Sequence, residues 1–256
     1  MSRNKSLVLA GLAMAIFSGL ALSTRAWSHT LWLETSSPKL AANKPLNIIV
    51  GFNDGFEVVD IMEQAVSNIA APIVLGPEGE IKAKPAGGKN YDFVTEKPLK
   101  AGSYIGFTEL EPRVMGHGDN PKKKYFMSDK HVINVDGSVS DDFVTKPIAK
   151  SALEIIPLKN PASLKAGGSL KVQVLFEGQP LARATVLGDF RGYNPSGTYG
   201  AAKAFYCNTD KKGEIDFLPA KDGLWILNVT HSVPSEDKTE FVESVYINSL
   251  TFFVGK

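Results

Sequence analysis

The sequence predicts an all-β protein, with an amino-terminal export signal followed by two immunoglobulin-like β-sandwich domains. Three observations carry this expectation. Short alternating or β-branched runs recur along the chain, separated by turn residues drawn from 23 Gly and 15 Pro. The last 90 or so residues hold five or six such runs, the strand density of an immunoglobulin-like sandwich. The one long apolar stretch is confined to the amino terminus.

That stretch is built as a secretory signal. Arg3 and Lys5 form a positive start, Leu7 to Leu22 runs apolar, and Ala26-Trp27-Ser28 offers small residues to a signal peptidase. The run is short for a bilayer span of roughly 20 residues. Residues 1–28 are therefore expected to be removed, leaving the mature chain in the periplasm. Cleavage after Ser28 makes His29 the new first residue, whereas cleavage after Ser23 or Ala26 does not.

The strands follow in order. Residues 29–147 form the expected first domain: Pro38 to Gly51 has a turn and then a β-branched run. Ala71 to Leu75, Asp92 to Thr95, Ser103 to Thr108 and a strand opening at His131 (HVINV) come next. Gly55 to Ala70 reads as a helix or a long loop. The Pro-containing stretch Thr145 to Lys150 marks the boundary, and residues 148–256 form the second domain. There Ser169 to Phe176 alternates apolar and polar, turns at Glu177 to Pro180, and continues over Leu181 to Leu187. Phe205 to Asn208 is expected to pair with Glu214 to Leu218, and Gly223 to Thr230 and Ser244 to Val254 complete the set.

Composition removes several function classes. A formal net charge of +1, with Lys122-Lys123-Lys124 the only basic run, gives no reason to expect a nucleic-acid partner. The single Cys207 rules out an intrachain disulfide and, in an alternating stretch without a neighbouring histidine, reads as a buried thiol. There is no Gly-x-Ser-x-Gly elbow, no phosphate-binding glycine loop and no HExxH helix, so the chain is not expected to be an enzyme. Asp54, Glu57, Asp60 and Glu63 read as a solvated acidic stretch, and Asp210 to Asp216 as a turn lacking the ligand spacing of a calcium loop.

Four histidines remain as chemistry-bearing residues. A terminal His29 can chelate a divalent metal through its α-amino group and imidazole Nδ1, and that amine has a pKa near 7.7–8.0, which a metal can displace at neutral pH. Trp32 and Leu33 just behind it promise a strand that would hold the terminus against the fold. His231 ends the run Trp225 to Thr230, where a sandwich rim could present a ligand. His117 lies in the glycine-flanked loop Met115-Gly116-His117-Gly118-Asp119, which joins imidazole, thioether and carboxylate. His131 opens an apolar strand and reads as structural. The candidate metal ligands are thus His29, His231 and His117. Such nitrogen ligands suit nickel, cobalt and copper alike.

The junction Ser28-His29-Thr30-Leu31-Trp32-Leu33-Glu34 resembles the start of the DUF4198 proteins, exported bacterial proteins with an Ala-His-x-x-Trp-Leu motif. The likeness continues through Gly178 to Val186, Thr209 to Glu214 and Gly223 to His231, a group that also resembles the carboxypeptidase-regulatory type of β-sandwich. This resemblance implies a periplasmic protein that binds Ni2+ or Co2+ and delivers it to a membrane uptake transporter, with His29 and His231 in the site. Two alternatives stand beside it. One is a copper protein, either a carrier or an oxidase built on a histidine brace. The other is a β-sandwich scaffold or adhesion module whose histidines are incidental.

Overall fold

The computed structural model describes residues 29–53, 56, 68–87, 91–116, 118–194 and 202–255. The expected export signal, His117 and most of Gly55 to Ala70 lie outside them. Among the described residues there are fifteen strands, many of them alternating apolar and polar, and no α-helix. In the first half these are β1 (Thr30–Thr35), β2 (Asn47–Asn53), β3 (Ile73–Gly76), β4 (Gly79–Pro85), β5 (Asp92–Thr95), β6 (Gly102–Met115) and β7 (Lys123–Val135). The second half supplies β8 (Leu153–Pro157), β9 (Leu170–Phe176), β10 (Gln179–Pro180), β11 (Thr185–Phe190), β12 (Phe205–Asn208), β13 (Glu214–Phe217), β14 (Gly223–Pro234) and β15 (Glu243–Val254). A single 3-10 turn, Pro161–Ser163, is capped by Asn160, whose side chain accepts from the Ala162 N–H.

The expected all-β sandwich class is what the chain adopts. A central sheet runs β3-β6-β7-β15-β14-β11-β12. Strand β4 pairs with β3 on one side and β5 on the other, carrying the ladder into an outer layer β4-β5-β2-β1. A smaller sheet, in which β9 pairs with β8, β10 and β13, covers the opposite face. Two cores result. Leu31, Leu33, Val50, Phe52, Met127, Ile133 and Ile247 fill the space between outer layer and central sheet. Ile155, Val172, Val174, Phe217, Trp225, Leu227 and Phe252 fill the space on the other side.

Strands β7 and β15 lie where both cores meet, and they are hydrogen-bonded in parallel from Glu243↔Lys123 to Thr251↔His131. Odd-numbered side chains of both point to the outer layer, even-numbered ones to the small sheet. Covered on both faces, β7 is buried without interruption from Met127 to Val135. The pairing joins the last strand before the expected domain boundary to the last of the described strands. Strand β7 also begins eight residues earlier than the HVINV run suggests. Ser128, Asp129 and Lys130 interrupt the apolar pattern, yet all three are buried and engaged by partners from neighbouring elements.

Candidate functional site

His29 stands at the entry to β1, half-buried, with its ring 5.3 Å from that of Phe52. The strand begins at once, with Thr30 opposite Asn53 and the ladder continuing to Thr35↔Ile48. Three features beyond this ladder pin β1. Trp32, fully buried, packs with Phe56, Leu224 and Ile226. It lies directly over Gly51, where a Cβ would fall 1.9 Å from its Cε2, so only glycine fits beneath the indole. Glu34 pairs with Arg191, whose guanidinium sits 4.5 Å from the Phe56 ring. Burial raises the Glu34 carboxyl above its ordinary range, and the nearby Arg191 charge opposes that rise.

The third feature acts on the backbone. The Leu33 N–H donates to Asp129 Oδ2 at 2.8 Å, and the Leu33 carbonyl accepts from the Thr251 hydroxyl at 2.7 Å. Behind Thr251, its Oγ1 is 2.9 Å from His131 Nδ1. His131 is fully buried, and desolvation lowers its pKa to about 4, so the imidazole is neutral at physiological pH. Burial pushes the Asp129 carboxyl well up, against the opposing hydrogen bond from the Leu33 N–H.

His231 lies elsewhere. It faces the small sheet from β14, its ring 4.5 Å from Phe176 and beside its register partner Tyr246. Burial lowers its pKa. On β14 it shares the parity of Trp225, Leu227 and Val229, all of which point into the core on the small-sheet side. His29 sits with Phe52 in the layer on the other side of the central sheet. The fold therefore does not bring His29 and His231 together. His117 lies outside the described residues, and among those described no group of three or more His, Cys, Asp or Glu is gathered as for a metal.

A second feature adjoins His231. Phe126 and Tyr246 stack at 4.7 Å, and Tyr246 meets Phe176 edge-on. Phe126 and Tyr246 border a cleft of about 290 Å3 also lined by Pro112, Ser128, Lys150 and Leu153. It opens beside the register shift between Leu110 and Arg113 in the β6–β7 ladder.

Sequence reasoning missed Asp129, Thr251 and the Glu34–Arg191 pair. The available signal was the polar run Ser128 to His131 between Tyr125-Phe126-Met127 and Val132-Ile133. Four polar residues inside a strand demand buried partners.

The model of a family described as a domain of unknown function, DUF4198, matches residues 26–233. The chain belongs to the DUF4198 family. Comparison with curated proteins found no match. Among solved structures, the D0-D1 domain of intimin overlaps 87% of this chain and 97% of its own, at 11% identity and a TM-score of 0.21. A marsupial T cell receptor overlaps 88% of this chain and 73% of its own, at 10% identity and a TM-score of 0.25. The fibronectin(III)-like modules of Clostridium thermocellum CbhA cover 87% and 93%, at 12% identity and a TM-score of 0.22. The architecture of this DUF4198 chain accordingly rests on its own strands and cores.

Proposed function

We propose that this DUF4198 protein is a periplasmic, non-enzymatic carrier that binds Ni2+ or Co2+ at His29 and passes it to a membrane uptake transporter. The observation that supports this reading is the immobility built into β1: ladder, Trp32 over Gly51, and side-chain bonds at Leu33. Once the signal is removed before His29, the α-amine and imidazole of one residue close a chelate ring on a strand that does not fray. An ion held by two protein nitrogens keeps its remaining positions for water or for the ligands of an acceptor, which suits delivery better than storage. His231, on the far face of the central sheet, has no part in this site. Cu2+ binds amine and imidazole more tightly than nickel or cobalt does, so it is the natural competitor.

The test starts from protein recovered by export and weighed intact, to establish His29 as its first residue. Calorimetric titration with Ni2+, Co2+ and Cu2+ should give one-to-one binding that weakens at least tenfold in His29→Ala, about 1.4 kcal/mol or more. His231→Ala should bind as the unmodified protein does. A mature terminus other than His29, or affinity indifferent to His29→Ala, would remove the carrier reading.

A further inference from the structure

We propose that Asp129, Thr251 and His131 are positioning residues for the amino-terminal metal site, acting as a side-chain clasp on the outer edge of β1. The proposal rests on the reading of His29 as the metal anchor and asks what keeps that anchor in place.

Strand β1 ends the outer layer, with β2 on one edge and, among the described residues, no strand on the other. Leu33 is opposite Val50, and the Val50 N–H donates to the Tyr91 carbonyl, away from β1. The pair is therefore of the non-hydrogen-bonded kind, and the Leu33 N–H and C=O both point outward from the ladder. An edge strand left in this condition exposes unpaired backbone and invites fraying or foreign pairing. Here the opposing sheet supplies two side chains that take the place of a missing strand: Asp129 of β7 accepts the N–H, and Thr251 of β15 donates to the carbonyl.

The roles follow from proton counting. Thr251 has one hydroxyl proton, and the Leu33 carbonyl can only accept, so that proton is committed at 2.7 Å. His131 Nδ1, 2.9 Å from the same oxygen, must then be the donor. Neutral His131 with its proton on Nδ1 thus orients Thr251, and Phe253 meets the imidazole edge-on at 6.1 Å. Thr251 and Asp129 come from the two strands paired in parallel at the centre of the molecule. The clasp therefore ties β1 to the most thoroughly covered part of the fold. His29 lies four residues from the clasped Leu33, and the Trp32–Gly51 contact falls between them.

A chelate at a loose terminus must order backbone before it binds, and a clasped strand has that ordering done beforehand. Thr251→Val removes the donor to Leu33 while keeping the shape of the side chain. Thr251→Ser keeps the hydroxyl and should rescue. The experiment measures Ni2+ affinity by calorimetry, the electron paramagnetic resonance linewidth of the Cu2+-loaded protein, and amide hydrogen exchange at Leu33. Thr251→Val should bind Ni2+ about tenfold more weakly, the scale of re-ordering one or two backbone residues. Its Cu2+ spectrum should broaden as the terminus samples more geometries, and Thr251→Ser should match the unmodified protein in both.

Leu33 exchange in the unmodified protein is read independently, so the idea stays exposed to refutation even if Thr251→Val does not fold. It should be as slow as that of core amides such as Val132. Fast exchange at Leu33 overturns the clasp. Unchanged Ni2+ affinity in a folded Thr251→Val, with His29→Ala still weakening binding, overturns the positioning role and leaves the carrier reading standing. Affinity indifferent to His29→Ala overturns both.

Discussion

Lys130 and Glu154 form an ion pair at 3.1 Å that is almost wholly removed from water, with side chains 1% and 6% exposed. Lys130 leaves the central sheet from β7, and Glu154 reaches back from β8 of the small sheet. Glu154 also accepts from the backbone N–H groups of Ile148 and Ala149, so it fixes the link between the two halves of the chain. Desolvation lowers the pKa of Lys130, while Glu154 opposes that change. The two partners are unequally supported: the carboxylate has three donors, whereas among the described residues Glu154 is the one carboxylate bonded to the ammonium.

Removing either partner should therefore cost different amounts. Glu154→Leu strands a buried cation and is expected to destabilise by about 3–5 kcal/mol in urea unfolding. Lys130→Met leaves a carboxylate that keeps two backbone donors and should cost less. The double variant should recover much of the larger loss, because a buried pair can be replaced by apolar volume at little net cost. Simple addition of the two single losses would show that the residues do not act as a pair.

Gly51 is predicted to be intolerant of any side chain. Gly51→Ala places its methyl inside the Trp32 indole and should destabilise by about 1–3 kcal/mol through overpacking. Trp32→Ala vacates the space and should cost about 3–5 kcal/mol. Thermal unfolding distinguishes these from surface effects, which stay within about 0.5 kcal/mol. A Gly51→Ala protein as stable as the original would mean that Trp32 does not rest on β2 in solution.

Two of the three buried titratable groups of β7, His131 and Asp129, should pull stability in opposite directions with pH. His131 has its folded pKa depressed to about 4 from 6.5, so the unfolded chain binds the proton first. Stability then falls as pH drops from 6.5 toward 4, by up to about 3 kcal/mol from this group. Asp129, with its folded pKa raised above 3.8, favours the protonated folded state and loses stability as pH rises above 3.8. His131→Gln should become progressively more stable relative to the unmodified protein as pH falls through this window. Asp129→Asn should gain in relative stability as pH rises. Urea midpoints measured from pH 4 to 7 give both slopes, and identical slopes in variant and parent would refute the assignment.

Cys207 should react with a thiol reagent in the folded protein. Its position on β12, the last described strand at that end of the central sheet, leaves it half-exposed between the exposed Tyr206 and Asn208. Alkylation should go to completion without denaturant, at rates far above those of unfolding. Labelling that waits for global unfolding would restore the buried thiol expected from sequence.

Much of this architecture was readable in the chain. The alternation in Leu170 to Phe176 and the Gly- and Pro-bounded runs identified most strands within a few residues. They did so because a half-buried strand must alternate. The failures share one cause. Where a strand is covered on both faces, alternation disappears, and where its buried positions carry Ser128, Asp129 and Lys130, the strand is read as opening only at His131. The partners that make those residues tolerable, Glu154, Asn248, Leu33 and Thr251, are between 24 and 120 positions away in sequence. The Cys207 expectation failed for a related reason, since nothing local marks β12 as the rim of a sheet. For the site, the prominence of His29 came from a motif. That His231 belongs to another layer depends on strand order, which short-range pattern does not encode.

The parallel pairing of β7 with β15 has a consequence for how this chain is made. Strand β15, at the middle of the molecule, is synthesised after every other described strand, and its partner was finished more than a hundred residues earlier. Until Glu243–Val254 emerges, neither core can close, and the hydroxyl that grips Leu33 has not yet been synthesised. Contacts of such sequence separation slow folding. Loss of Glu243–Val254 would remove a strand from between β7 and β14, so it would cost the molecule its centre rather than an edge.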